Sequence, residues 1–87
     1  MAASLTREEV LARIRSHLAE ELGIDATAIA EESRFKEDLE ADSLDLVELA
    51  MELEDGYGIR MPEDEAERIK TVGQAIDFVL NHAPAPS

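Results

Sequence analysis

Apolar residues in this chain recur three and four apart over several stretches, which is the period of an amphipathic helix. The first stretch carries Val10, Leu11, Ile14, Leu18 and Leu22. Thr6 with Glu9 forms a capping-box pattern just ahead of it, and Leu5 with Val10 supplies the matching hydrophobic staple, so a helix is expected to begin at about Arg7. Gly23 is its natural stop. Residues 24–41 keep no period and hold the turn formers Asp25, Thr27 and Ser33, so they read as a long loop anchored by Ile24, Ile29, Phe35 and Leu39. Long loops in small domains call for an explanation. This one ends where a second helix is expected to open near Ser43 and to close before Gly56-Tyr57-Gly58. Pro62 suits the first turn of a short third helix to about Arg68. Thr71 with Gln74 is a further capping box, opening a fourth helix to about Leu80 with Val72, Ala75, Ile76 and Val79 on one face. The fold class that follows is all-α: a small four-helix bundle of three longer helices and a short third one, with a long loop between helices one and two. Residues 1–83 are expected to form the domain, and Pro84-Ala85-Pro86-Ser87 a disordered C-terminal tail.

The second helix has more apolar surface than one buried face needs. With Leu44 at zero and a hundred degrees per residue, Leu49, Leu53, Leu46 and Ala50 fall between about 140 and 240 degrees, an ordinary core stripe. Val47, Met51 and Leu44 fall apart from them, between about 300 and 360 degrees, and Asp55, Glu48, Glu52 and Asp45 follow from about 20 to 100 degrees. Two readings stay open here. The second stripe is either a wider core, in which Met51 fills a gap, or an exposed contact stripe whose apolar anchors give affinity and whose acids give steering and register. Its position beside Ser43 favours the exposed stripe.

Length and charge narrow the classes. A chain of 87 residues builds one domain with a limited core. It contains no cysteine, so disulfides and thiolate metal sites are excluded and any thiol chemistry has to be borrowed. Acids outnumber bases 21 to 8, which argues against nucleic acid and anionic membranes, both of which need a positive surface. From Glu37 to Glu67 there are thirteen acids against Arg60 alone, a net of −12, whereas the rest of the chain holds 8 acids and 7 bases. Almost the whole excess therefore sits around Ser43 and beyond it, a localisation that suits a partner with a basic patch better than a general solubilising surface does. The apolar runs are too short to span a membrane, and Met1-Ala2-Ala3-Ser4 lacks the regions of a signal peptide. A cytoplasmic monomer is expected, without membrane insertion.

Ser43 lies in Glu40-Ala41-Asp42-Ser43-Leu44-Asp45, between carboxylates and at a helix start. A nucleophilic serine needs a base and a group that orients the base. The flanks are not those of a nucleophile elbow, and the only histidines, His17 and His82, fall on other elements. Ser43 reads as a serine that is acted upon. Other chemistry fails on spacing: Asp38, Glu40 and Asp42 begin like a calcium loop, but Ser43 stands where its glycine belongs and Leu49 where its glutamate belongs. Adjacent pairs such as Glu8-Glu9, Glu20-Glu21 and Glu31-Glu32 point to different sides of a helix and read as solvated faces. No metal site and no catalytic residue is assigned.

The segment EADSLDLVEL closely resembles the modification site of acyl carrier proteins, in which the serine carries phosphopantetheine. The resemblance extends over nearly the whole chain, through Leu22-Gly23-Ile24, the loop residues Phe35, Glu37, Asp38 and Leu39, the segment Met61 to Ile69, and Thr71 to Ile76. Glu40 departs from it, since many members have glycine there, and this bears on the local turn rather than on the modification. The resemblance implies a 4′-phosphopantetheine arm drawn from coenzyme A and attached covalently to Ser43 by a phosphopantetheinyl transferase, also called a holo-carrier synthase. It also implies a thiol on that arm that holds acyl groups as thioesters, in a protein that is not itself an enzyme. The positions matching the family's docking helix are Asp42, Leu44, Asp45, Val47, Glu48, Met51, Glu54 and Asp55, which would meet basic patches on acyl-chain synthesis enzymes. Phe35, Leu39, Leu46, Leu53, Met61, Ala66, Ile69 and Ile76 are core candidates for a cleft that takes the acyl chain, with a closed core as the alternative. Delivery to fatty acid synthesis is the expected role. A carrier for polyketide or another specialised acyl pathway, an unmodified acidic interaction module, and a small serine hydrolase are the alternatives.

Overall fold

The computed structural model describes residues 5–83, so the expected tail 84–87 lies outside the described residues. Four α-helices form: α1 (Arg7–Leu22), α2 (Ser43–Tyr57), α3 (Glu63–Arg68) and α4 (Val72–His82), with a 3-10 turn at Ala26–Ala28 between the first two. The order, the short third helix and the long first connection are those expected from the periodicity. No helix of the described residues is long and apolar enough to cross a membrane.

Each helix starts and stops for a local reason. Thr6 caps α1 by accepting from the Glu9 amide at 3.2 Å, but the returning bond from the Glu9 side chain is absent, so the expected capping box is half formed. The box at α4 is complete, with Gln74 N–H donating to Thr71 Oγ1 at 3.1 Å and the Thr71 amide to Gln74 Oε1 at 3.2 Å. Helix α2 runs through Gly56 and Tyr57 rather than stopping before them, and ends at Gly58, whose φ of 65° is left-handed. At Gly56 the missing side chain leaves room for Arg13 of α1 to cross the helix. A Cβ there would stand 2.7 Å from Arg13 Nη1, and that guanidinium is held by Glu52 at 2.7 Å and lies 5.0 Å from the Tyr57 ring centroid. Helix α4 continues past Leu80 because His82 stacks on Phe78 with centroids 3.9 Å apart and donates from Nδ1 to the Phe78 carbonyl at 2.9 Å.

The core joins Val10, Ile14 and Leu18 of α1, Leu49 and Leu53 of α2, and Val72, Ala75, Ile76, Phe78 and Val79 of α4. Loop residues Ile29, Phe35, Leu39 and Ala41 are buried with them. An irregular segment that enters a core must still pair its backbone groups. Here the start of α4 serves it: Phe35 N–H donates to Lys70 O at 3.0 Å, Val72 N–H to Ser33 O at 3.0 Å, and Gly73 N–H to Glu31 O at 2.7 Å. Arg15 Nε caps the Ile29 carbonyl at 2.7 Å, and Arg7 binds both Glu31 and Asp77, which ties α1 to the loop and to α4. Those hydrogen bonds from Arg7 hold the Glu31 carboxyl below its usual range.

The seam between α1 and α2 is less balanced. Partial desolvation, the Glu48 charge and contact with Asp45 push the Glu21 carboxyl upward, with His17 opposing weakly. His17 lies half-buried in this groove beside Glu20, Arg13 and Glu52, and its Nε2 is buried without a hydrogen-bond partner. It is a boundary residue of the bundle, as its place on the first helix suggested.

Two stability outcomes follow from this packing. Leu53, at 1 % exposure, is expected to cost about 2–5 kcal/mol as Leu53→Ala, whereas Val47→Ala and Met51→Ala, at 53 % and 56 % exposure on the same helix, should each stay within about 0.5 kcal/mol in urea denaturation. Comparable losses at all three would make the second stripe core. For Glu21, a folded pKa raised above the unfolded value means that the neutral form fits the fold better. Its favourable contribution is therefore complete below the ordinary glutamate pKa of about 4.3 and is lost as pH rises through the raised value. Glu21→Gln should raise the melting temperature at pH 7 and leave it unchanged near pH 3. Equal shifts at both pH values would assign the effect to packing instead of charge.

Candidate functional site

The start of α2 is built by two aspartates that cap each other. Asp42 is extended, with φ −94° and ψ −177°, and its Oδ1 accepts from the Asp45 amide at 3.0 Å. Asp45 Oδ2 accepts from the Asp42 amide at 3.1 Å in return. This is a capping box made from Asp-x-x-Asp, a spacing visible in the sequence but not read there as a cap. It sets Ser43 at the first helical position, exposed to solvent. The two neighbouring carboxylates are thus engaged with backbone amides, and the Ser43 hydroxyl enters none of the side-chain hydrogen bonds among the described residues. Among the described residues it has no hydrogen bond to a histidine or a carboxylate that could take its proton.

Ahead of the cap the chain makes a left-handed step at Glu40, with φ 56°. That step lets the buried Ala41 donate its N–H to the Phe35 carbonyl at 2.8 Å, while Leu39 N–H reaches Arg34 O at 3.1 Å. The loop is thereby drawn against the core immediately before it releases Asp42 and Ser43 to the surface. Left-handed backbone costs a residue with a Cβ about 1–2 kcal/mol. The turn that glycine would serve is made here by an exposed glutamate.

Beyond Ser43, α2 divides into two apolar faces. Leu49 and Leu53 are buried, at 3 % and 1 % exposure, with Leu46 and Ala50 packed partly against the core. Leu44, Val47 and Met51 are 65 %, 53 % and 56 % exposed, so the open question of a wider core is answered in favour of a surface stripe. Exposed large apolar side chains grouped on one helix face mark an interaction site more often than scattered ones do. Asp45 and Glu48 border the stripe half-buried, and Asp55 lies exposed. Two acids of the same helix are otherwise engaged: Glu52 pairs with Arg13, and Glu54 Oε2 accepts from the Met61 amide at 2.7 Å, which fastens the turn after α2. That role for Glu54 was not legible in a helical wheel, because its partner lies outside the helix.

The candidate cleft residues belong to the core or pack against it. Phe35, Leu39, Leu53, Met61 and Ile76 are buried together, and Leu46, Ala66 and Ile69 are half-buried at the margin. Among the described residues no group of three or more histidines, aspartates or glutamates is arranged to hold a metal ion.

A phosphopantetheine fits this start of α2. The hydroxyl of Ser43 is free and exposed, and the first-turn amides beside it lack intrahelical acceptors, an environment that favours a bound phosphodiester. The nearby carboxylates oppose the added charge in part.

The chain is similar to known proteins along nearly its whole length. The family model described as phosphopantetheine attachment site matches residues 12–79. An acyl carrier protein of Rubrobacter xylanophilus is 51 % identical over 81 residues, covering 93 % of this chain and all of the relative. One from Lactobacillus acidophilus is 42 % identical over 78 residues, covering 90 % of this chain and 98 % of the relative. Among solved structures, an acyl carrier protein from Enterococcus faecalis superposes with a TM-score of 0.77 at 35 % identity, over 91 % of this chain and all of the other. One from Thermotoga maritima gives 0.76 at 33 % identity, over 86 % and 87 % of the two chains. The helical architecture, the match to a phosphopantetheine attachment model and these near full-length identities lead to one conclusion: the chain is a carrier of covalent phosphopantetheine rather than an enzyme, and it belongs to the acyl carrier protein family.

Proposed function

We propose that Ser43 is the residue that accepts the phosphopantetheine arm, and that the loaded protein delivers acyl groups to fatty acid synthesis enzymes in the cytoplasm. The observation that carries the reading is an exposed, unengaged hydroxyl at the first position of α2, beside an exposed apolar stripe and its acids. With no base of its own, Ser43 depends on a transferase to remove its proton. The chain's contribution is to present Oγ at a rigid, doubly capped helix start and to offer a surface on which the transferase docks. The bound arm supplies a terminal thiol that holds acyl groups as thioesters, chemistry that a chain without cysteine has no side chain to perform.

Docking falls to the remainder of the helix. Leu44, Val47 and Met51 provide apolar anchors, while Asp42, Asp45, Glu48 and Asp55 provide charge for a basic partner surface. Glu54 contributes indirectly, by holding the turn to Met61. An acyl chain would enter between Phe35, Leu39, Leu46, Leu53, Met61, Ala66, Ile69 and Ile76 only if the closed core opens.

Intact mass after incubation with coenzyme A and a broad-specificity phosphopantetheinyl transferase tests the attachment. The wild type should gain one arm, and Ser43→Ala should fold and gain none. An arm on the mutant, at Ser4, Ser16, Ser33 or Ser87, would overturn the assignment. Ester turnover by the unmodified protein would favour a hydrolase.

The docking face is tested by transfer kinetics on surface variants. Charge reversal at Asp45 or Glu48 should mainly slow association and reduce its dependence on salt. Met51→Ala or Val47→Ala should weaken binding by about 1 kcal/mol or more if these are anchors. Unchanged kinetics in all four variants would remove α2 from the interface.

A further inference from the structure

Glu40 carries two costs that a glycine would remove. It is the one non-glycine residue with positive φ among the described residues, and its carboxylate adds to the net −12 between Glu37 and Glu67. Elsewhere the chain makes the left-handed step with glycine, at Gly23 with φ 68° and at Gly58 with φ 65°. The left-handed step at Glu40 is needed by the loop, but its side chain is not: it is exposed and forms none of the hydrogen bonds or ion pairs found among the described residues, unlike Asp38, Asp42 and Asp45 around it. A residue that is unfavourable both in conformation and in charge, and that supports nothing in the fold, points to a use outside the fold.

We infer that the Glu40 carboxylate is a specificity-determining contact for the transferase that modifies Ser43, meeting a basic side chain on that enzyme. The inference rests on the proposed attachment at Ser43 and adds a residue outside helix α2 to the docking surface. Geometry supports it. Glu40 lies three residues before Ser43, and the buried Ala41 between it and the Asp42 cap is tied to Phe35, so the backbone carrying the carboxylate is fixed relative to the acceptor hydroxyl. The anchored backbone keeps this charge near the acceptor hydroxyl, where it adds to the encounter with a basic surface.

Three full-length variants separate charge from conformation: Glu40→Gln removes the charge and keeps the left-handed cost, Glu40→Gly removes both, and Glu8→Gln on α1 makes the same change in net charge elsewhere. Transfer from coenzyme A is followed at low and high salt, together with thermal melts. At low salt both Glu40 variants should lose about two- to fivefold in kcat/KM, the size expected for one exposed ion pair, through KM and not kcat. The difference should shrink at high salt, Glu8→Gln should match the wild type, and only Glu40→Gly should gain clearly in melting temperature from relief of the backbone cost. Glu40→Gln modified as efficiently as wild type at low salt overturns the inference, as does an equal loss in Glu8→Gln, which would reduce the effect to net charge. A wild type that gains no arm at Ser43 would instead refute the attachment on which the inference depends.

Discussion

The structure depends on how the segment between α1 and α2 satisfies its backbone inside the core. Ile29, Phe35, Leu39 and Ala41 carry their peptide groups inward with their side chains, and an unpaired buried peptide is costly. Local turns meet much of this need, with Ile29, Leu39 and Ala41 donating to Ala26, Arg34 and Phe35, while Lys70 takes the Phe35 amide, Val72 and Gly73 of α4 reach Ser33 and Glu31, and Arg15 of α1 takes the Ile29 carbonyl. Once the loop is pinned in this way its exit is fixed as well. Ser43 stands where it does because Ala41 is bonded to Phe35 behind it and Asp42 and Asp45 close a capping box around it.

That fixed exit explains how a small acidic bundle presents an exposed serine at a rigid helix start. The carboxylates nearest Ser43 are engaged with amides, so they shape the helix start instead of activating the hydroxyl. In the proposed role the carrier supplies rigidity and the transferase supplies the proton transfer. The division suits a protein that must offer the same group to different enzymes, since a recognition surface is easier to share than a catalytic one.

Charge sets the main tension in the fold. The clustered acids repel one another, and at the α1–α2 seam the Glu21 carboxyl is pushed upward by partial desolvation first and then by Glu48 and Asp45. Arg13 opposes it on one side of the seam through Glu52 and Tyr57, and Arg7 ties the other end of α1 to Glu31 and Asp77. These bridges are exposed enough that each contributes modestly. The buried apolar positions hold the bundle together, and the ion pairs orient α1 against its neighbours.

The sequence by itself determined the four helices, most of their ends and the core stripes, because helical period, capping pairs and stop glycines act over a few residues. It also determined that Ser43 has no local base and that the acids concentrate around it. Tertiary structure decided what depends on partners distant in the chain. Helix α2 passes through Gly56, where the absent side chain makes room for Arg13, 43 residues earlier. Glu54 turned inward to Met61, and the irregular loop found its hydrogen bonds at the start of α4. The exposure of Leu44, Val47 and Met51 was likewise settled only in three dimensions: a helical wheel shows that a second apolar face exists, but whether another helix covers it depends on where the other helices pack.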